Sequence, residues 1–127
     1  MTSVTALILF AHGARDPEWA TPLRRVQAAV AAQAPGQRVE LAFLEFMTPT
    51  LPECVAALDE AGVTSAVVVP MFIAQGGHLK RDVPELLAVL RERHPAMALT
   101  LAPAIGESAS VIEAMAQAAL AATRSDA

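Results

Sequence analysis

Residues 4–11, VTALILFA, are apolar at every position but one. A strand with one wet face alternates apolar and polar side chains, so a nearly continuous apolar run marks a strand covered on both faces, as in parallel sheets. Parallel strands cannot be joined by a two-residue hairpin, and each needs a crossover, usually a helix. Three more short runs fit that expectation: VELAFLEF (39–46), TSAVVVPM (64–71) and MALTLAP (97–103), with longer stretches of helical character between and after them. The β-α unit thus occurs four times. It predicts an α/β fold: one doubly wound domain spanning residues 1–127, with a four-stranded parallel sheet in the order 2-1-3-4 flanked by helices.

The segments between the runs carry helix signals. Leu23, Val26 and Val30, then Leu51, Val55 and Leu58, then Val83, Leu86, Leu87 and Leu90 recur three or four residues apart, giving each helix one apolar face for the core. Asp16 precedes Pro17, Thr50 precedes Glu53 by three residues, and Asp82 with Glu85 and Ser110 with Glu113 repeat that spacing, so each is read as a helix start. Gly36 and Gly62 mark the ends of the first two helices. Pro70 cannot donate to a ladder and so belongs to the last residues of the third strand. The final ATRSDA reads as a frayed tail.

The 127 residues are 54% hydrophobic and 17% charged, with a mean hydropathy of +0.44. This apolar composition fits strands buried on both faces or a surface that meets a partner, and a homo-oligomer is expected. The longest unbroken apolar run, ALILFA, is far too short to span a bilayer. Nine basic against thirteen acidic residues give a net charge of −4, without a basic stripe, so neither nucleic acid nor membrane is expected as a partner. The start, MTSVTA, lacks the basic region and long apolar segment of a secretion signal, which makes the cytoplasm the expected compartment. Cys54, the single cysteine, has no partner for an internal disulfide and no second thiol for a metal site; it reads as a small buried apolar residue.

In an open parallel sheet, ligands sit beyond the carboxyl ends of the strands, where neighbouring connections leave on opposite faces. His12 follows the first run directly, Glu45 nearly ends the second, and His78 lies in the loop after the third, FIAQGGHLKR. All three belong to one edge, and in the order 2-1-3-4 the first and third strands are neighbours about 4.8 Å apart. Two imidazoles and one carboxylate suit borderline divalent ions such as Co²⁺, Ni²⁺, Fe²⁺ or Zn²⁺. Taken singly, each has a plainer role: a histidine at a strand end is commonly a hydrogen-bonded loop residue, and a strand-end carboxylate a solvated one. His94, before Pro95 at a helix end, fits a C-terminal cation with no further chemistry. Gly76 and Gly77 permit either close approach of backbone to a ligand or a tight turn. Arg15, Lys80 and Arg81 flank the two histidine loops and make that rim positive, so an anionic ligand is expected. Neither GxxxxGK(S/T) after a strand nor GxGxxG at a helix start occurs, which leaves nucleotide binding without support.

LFAHGARDPEW, FLEFMTPTLPE and VVPMFIAQGGHLKRDVPELL, in this order and on these strand ends, resemble the short-form sirohydrochlorin cobaltochelatases, the small class II chelatases, over nearly the whole chain. The resemblance implies a chelatase-like domain that inserts a divalent metal, Co²⁺ or else Ni²⁺ or Fe²⁺, into sirohydrochlorin on the route to cobalamin, sirohaem or a nickel tetrapyrrole. It implies His12 as metal ligand and proton acceptor and His78 as the second ligand. Glu45, Ile73, Ala74, Gln75, Gly76 and Gly77 are by the same resemblance contacts to the macrocycle, with Glu45 near the metal path. No permanently bound cofactor is implied, the metal being a substrate. The implied assembly is a homodimer in which two short chains face their clefts together, as the halves of longer chelatases do. Ala14 departs from the pattern, since the family often carries serine after His-Gly.

The chemistry agrees with the resemblance. Metal insertion removes two pyrrole protons while one cation is desolvated and delivered, which asks for a neutral imidazole base and a weak, open metal site. A closed ligand set would trap the ion. Arg15, Lys80 and Arg81 suit the substrate's carboxylates, and Met47, Phe72 and Ile73 suit its flat face. A metal or tetrapyrrole carrier would use the same residues without turnover. Histidine phosphatases also place His-Gly after a first strand, but they need an arginine just before the histidine, where Ala11 stands.

Overall fold

The strands form where the apolar runs predict, and local chemistry sets their ends. The computed structural model describes residues 5–124, so Val4 of the first run lies outside the described residues. β1 (Ala6–Ala11), β2 (Val39–Phe43), β3 (Ser65–Pro70) and β4 (Ala98–Leu101) make one parallel sheet in the order β2-β1-β3-β4, as expected. β1 is central, with Leu9 beside Leu41 on one side and Val69 on the other. Pro70 does end β3, and the next residue restores the ladder: the Met71 N–H donates to the Phe10 carbonyl at 2.7 Å.

Four helices alternate with the strands: α1 (Thr21–Gln33), α2 (Leu51–Glu60), α3 (Gly77–Arg93) and α4 (Ala109–Ala121), with 3-10 turns at Pro17–Ala20 and Ile105–Glu107. α2 and α3 cover one face of the sheet, where Ile8, Phe10 and Val68 pack with Leu51, Val83 and Leu87. α1 lies on the other face over β1 and β2, around Leu9, Leu41 and Phe43. Thr50 and Glu53 form the expected capping box, the Glu53 N–H donating to the Thr50 hydroxyl at 3.3 Å and the Thr50 N–H to the Glu53 carboxylate at 2.8 Å. Gly62 ends α2 at φ +84°, and the N–H groups of Gly62 and Val63 donate to the Asp59 and Leu58 carbonyls at 3.0 Å. Among the described residues no helix is long and apolar enough to cross a membrane.

Several expectations are corrected. Asp16 does cap, accepting from the Glu18 N–H at 2.9 Å, but it caps the 3-10 turn; α1 starts later, at Thr21, with Pro22 in its first turn. Asp82 starts nothing, because α3 begins at Gly77 and runs on through Pro84. The bond that Pro84 cannot donate to the Lys80 carbonyl is forgone on an exposed stretch, where water can replace it. Ser110 and Glu113 both lie inside α4, and the Ser110 hydroxyl pairs with that of Ser108 at 3.0 Å instead of capping. The apolar stripe of α1 is core only in part: Leu23 packs half-buried against the Leu9, Leu41 and Phe43 cluster, whereas Val26 is 37% exposed and no residue of the helix is fully buried. Residues 125–127 of the ATRSDA tail lie outside the described residues.

Candidate active site

The chain leaves β1 for α1 on one face and leaves β3 for α3 on the other, so the crevice between the carboxyl ends of β1 and β3 is the switch point of the sheet. His12 is the first residue after β1. Its ring lies over that of Phe72 with centroids 4.3 Å apart and planes at 35°. Phe72 is itself only 3% exposed and touches Phe10 at 5.9 Å. A buried aromatic floor therefore holds an imidazole whose residue is exposed.

The loop after β2 is fastened to the same place. Beyond the last residue of β2 the parallel ladder continues, the Leu44 N–H donating to the Ala11 carbonyl at 2.8 Å and the Glu45 N–H to the His12 carbonyl at 3.1 Å. Gly13 makes this approach possible: its φ is +88°, and a Cβ there would overlap the Glu45 carbonyl oxygen. The next residue, Phe46, sits at φ +68°, a left-handed conformation uncommon outside glycine; the residue is 58% exposed and the Arg15 guanidinium lies 5.1 Å from its ring centroid. A shallow cavity of about 290 Å³ opens here between Ala14, Arg15, Arg24, Phe46, Met47 and Thr48.

The third segment differs from its sequence expectation in one respect. His78 is not in a loop but in the first turn of α3, exposed, with Gly76 as the cap residue. Ile73, 73% exposed, with Ala74, Gln75 and Gly76, forms the loop joining β3 to α3. Gly76 and Gly77 have ordinary φ, and a Cβ on either would meet no atom within 4 Å, so neither glycine is required by the protein's own packing. The glycine that this loop does require is Gly106, which the sequence reading passed over. Its N–H donates to the Phe72 carbonyl at 3.0 Å, and a Cβ there would overlap the Ile73 carbonyl. Only tertiary contact across β4 reveals it. Phe46 and Gly13 were also missed, although a His-Gly pair directly after a strand is a local signal for a sharp change of direction.

His12, Glu45 and His78 are thus carried on one edge as separate exposed donors. Among the described residues, no three His, Cys, Asp or Glu side chains stand close enough together to hold a metal. Arg15, Lys80 and Arg81 are exposed on the same rim, and no carboxylate among the described residues lies within ion-pair distance of them. The other candidates are occupied elsewhere. His94 caps the end of α3 and its Nδ1 meets the Asp59 carboxylate at 2.7 Å. Cys54 is buried in α2, and burial, helped by the Glu40 carboxylate, pushes its thiol up to about 12, which keeps it protonated and unfit as a metal ligand.

Fold and site together define a doubly wound α/β domain that offers imidazoles and positive charge to a ligand at the carboxyl ends of its central strands. A model of the CbiX family matches residues 6–122, and the chain belongs to that family. It is 36% identical over 86 residues to a sirohydrochlorin cobaltochelatase of Methanopyrus kandleri, a match covering 68% of this chain and 60% of that one. The chain thus spans about three fifths of the length of this relative. Among solved structures, a CbiX protein of cobalamin (vitamin B12) biosynthesis from Marinobacter aquaeolei VT8 superposes with a TM-score of 0.84 at 27% identity, over 94% of this chain and 97% of the other. The sirohydrochlorin chelatase SirB from Bacillus subtilis subspecies spizizenii, in complex with cobalt, superposes with a TM-score of 0.76 at 25% identity, over 90% of this chain and 49% of SirB.

Proposed function

We propose that this chain is a single chelatase-like domain that inserts a divalent metal, Co²⁺ foremost and Ni²⁺ or Fe²⁺ as alternatives, into sirohydrochlorin, acting in the cytoplasm as a homodimer. The observation that carries the proposal is the exposed His12 imidazole lying on the buried Phe72 ring at the switch point, with Glu45 tied to it through the backbone. Family membership and a cobalt-bound chelatase relative of the same fold support it.

His12 in its neutral form binds the incoming cation through a ring nitrogen, and after the metal has passed to the macrocycle it accepts one pyrrole proton, while the second leaves to solvent water. The flat Phe72 face beneath it fixes the ring orientation without competing for either nitrogen. His78, exposed in the first turn of α3, is the second ligand. Because no compact cage of three donors stands ready among the described residues, the metal keeps water ligands that the pyrrole nitrogens displace one by one, which is what delivery requires and storage does not. Glu45 stands beside the metal path and, with the loop from Ile73 to Gly77, borders the macrocycle. The ring's carboxylates are drawn by Arg15, Lys80 and Arg81. The metal is a substrate here, and the proposal includes no resident cofactor.

The test mixes purified protein, sirohydrochlorin and each metal separately and follows the macrocycle absorbance. Insertion over many turnovers is expected, with His12→Ala and His78→Ala each slowing it about a hundredfold or more. Binding of ring or metal with no turnover would make the chain a carrier instead.

A further inference from the structure

The shallow cavity beside the site gathers positive charge that the protein's own side chains leave unbalanced. Arg15 and Arg24 both line it, and among the described residues no carboxylate stands within ion-pair distance of either guanidinium. Asp16 and Glu18, on the 3-10 turn that joins them, do not serve: the Asp16 carboxylate accepts from the Glu18 N–H at 2.9 Å, and neither acid pairs with an arginine. Arg24 is the fourth residue of α1, whose first turn has no acidic residue and whose start has no side-chain cap. A cation at a helix N-terminus opposes the macrodipole, and a second guanidinium in the same cavity adds repulsion between like charges. An anion placed between them relieves both. The cavity wall is also set in advance. The Arg15 guanidinium lies 5.1 Å from the Phe46 ring centroid, a cation–π contact that leaves guanidinium N–H groups for an acceptor. Phe46 is brought there by its φ of +68°, a conformation that residues other than glycine keep where the surroundings enforce it.

We propose that Arg24, together with Arg15, forms a carboxylate subsite that takes one peripheral arm of the tetrapyrrole, so that a carboxylate at that edge of the ring is a requirement for tight binding. This inference rests on the chelatase reading for its ligand. The placement fits an outer arm of a ring whose centre is at His12. Ala14 and Arg15 follow His12 by two and three residues, at most about 11 Å of extended chain. Phe46 follows Glu45, whose N–H is bonded to the His12 carbonyl at 3.1 Å, so both walls of the cavity are tied to the same point. At about 290 Å³ the cavity falls just below the range of about 300–1,000 Å³ that holds whole ligands, and it takes an arm but not the ring. Its chemistry separates an arm from a bare inorganic anion as well. Two guanidiniums suit the carboxylate, while Ala14, Pro17 and Met47 offer apolar wall to the methylenes that carry it.

Trp19, the single tryptophan, is 39% exposed on the 3-10 turn that also carries Pro17, so quenching of its fluorescence follows ring binding with no metal added. The experiment titrates sirohydrochlorin, and separately the same ring with its carboxylates methylated, into the native chain, Arg24→Gln and Arg25→Gln. Arg25 is the control: it carries the same charge on the same helix and does not line the cavity. Both arginines are exposed, so the fold survives either change. Arg24→Gln is expected to raise the Kd for sirohydrochlorin about tenfold, and Arg25→Gln by less than about twofold. The methylated ring is expected to bind the native chain and Arg24→Gln alike. Equal losses in the two variants would reduce the effect to net charge, and a loss in Arg24→Gln that persists with the methylated ring would take the carboxylate out of it; either result overturns the subsite. Metal insertion is measured alongside: a native chain that binds the ring in this pattern without inserting metal would overturn the chelatase reading and leave the subsite standing.

Discussion

At the scale of single residues, Gly13 holds the site in place and Cys54 reports on the core behind it. Gly13 combines a left-handed φ with a backbone neighbour where a Cβ would sit, so Gly13→Ala must either break the Glu45-to-His12 hydrogen bond or move the β2 loop. The cost is expected at about 2 kcal/mol or more, read from the urea midpoint, with loss of metal insertion; full stability in the alanine variant would show that the loop yields freely. Cys54 tests the core instead. A thiol whose pKa rises on folding favours the folded state at pH below its unfolded value, and that contribution fades as pH climbs from about 9 toward about 12. Cys54→Ala should therefore flatten the alkaline fall in stability across that window. The native thiol should also resist alkylation at pH 8 until denaturant exposes it, and rapid labelling of the folded protein would contradict its burial.

At the scale of elements, the turn Ile105–Glu107 braces the β3 loop from behind, through Gly106. Gly106→Ala should displace the Ile73 backbone and lower the insertion rate at least tenfold while far-UV circular dichroism stays native, because the strain falls on a loop and a short turn and spares the buried strands. Wild-type rates in that variant would remove the brace from the account. The elements also show what the sequence could and could not reveal. β1 was legible because burial on both faces leaves a mark in nearly every residue of its run, β3 and β4 because short apolar runs alternate with helical stretches although every second residue is less buried, and Thr50 with Glu53 and Gly62 because their partners are only a few residues away. Asp82 with Glu85 and Ser110 with Glu113 misled for a physical reason: a spacing of three is also the spacing of neighbours on one helix face, so a cap and an interior pair look alike. The edge that bears His12, Glu45 and His78 followed from strand ends alone. The stacking of His12 on Phe72, the brace at Gly106 and the left-handed Phe46 depend on contacts between distant segments, which no local pattern encodes.

At the scale of the whole molecule, charge and its placement pull in opposite directions. The net charge of −4 would repel the polyanionic tetrapyrrole proposed as substrate at long range, yet Arg15, Lys80 and Arg81 are exposed on the edge proposed to receive it. With no carboxylate among the described residues within ion-pair distance, the three cations keep their full field. Arg15 is further fixed over Phe46, so its position is set before any substrate arrives. Which effect wins is decided by distance and salt. At about 0.1 M salt the Debye length is about 10 Å, so acidic residues across the molecule are screened while the rim, in contact with the bound carboxylates, is screened much less. At about 0.01 M salt the length is about 30 Å, and the whole molecule's negative charge reaches the approaching ring. The Michaelis constant for sirohydrochlorin should therefore change only modestly between about 0.01 and 0.1 M salt, as long-range repulsion and rim attraction weaken together, and then climb several-fold toward about 1 M, where the Debye length of about 3 Å weakens the rim itself. Arg15→Glu combined with Lys80→Glu should raise the constant at 0.1 M salt and remove most of the high-salt climb. Equal salt profiles for the native and doubly substituted chains would mean that the ring is held by its flat face alone.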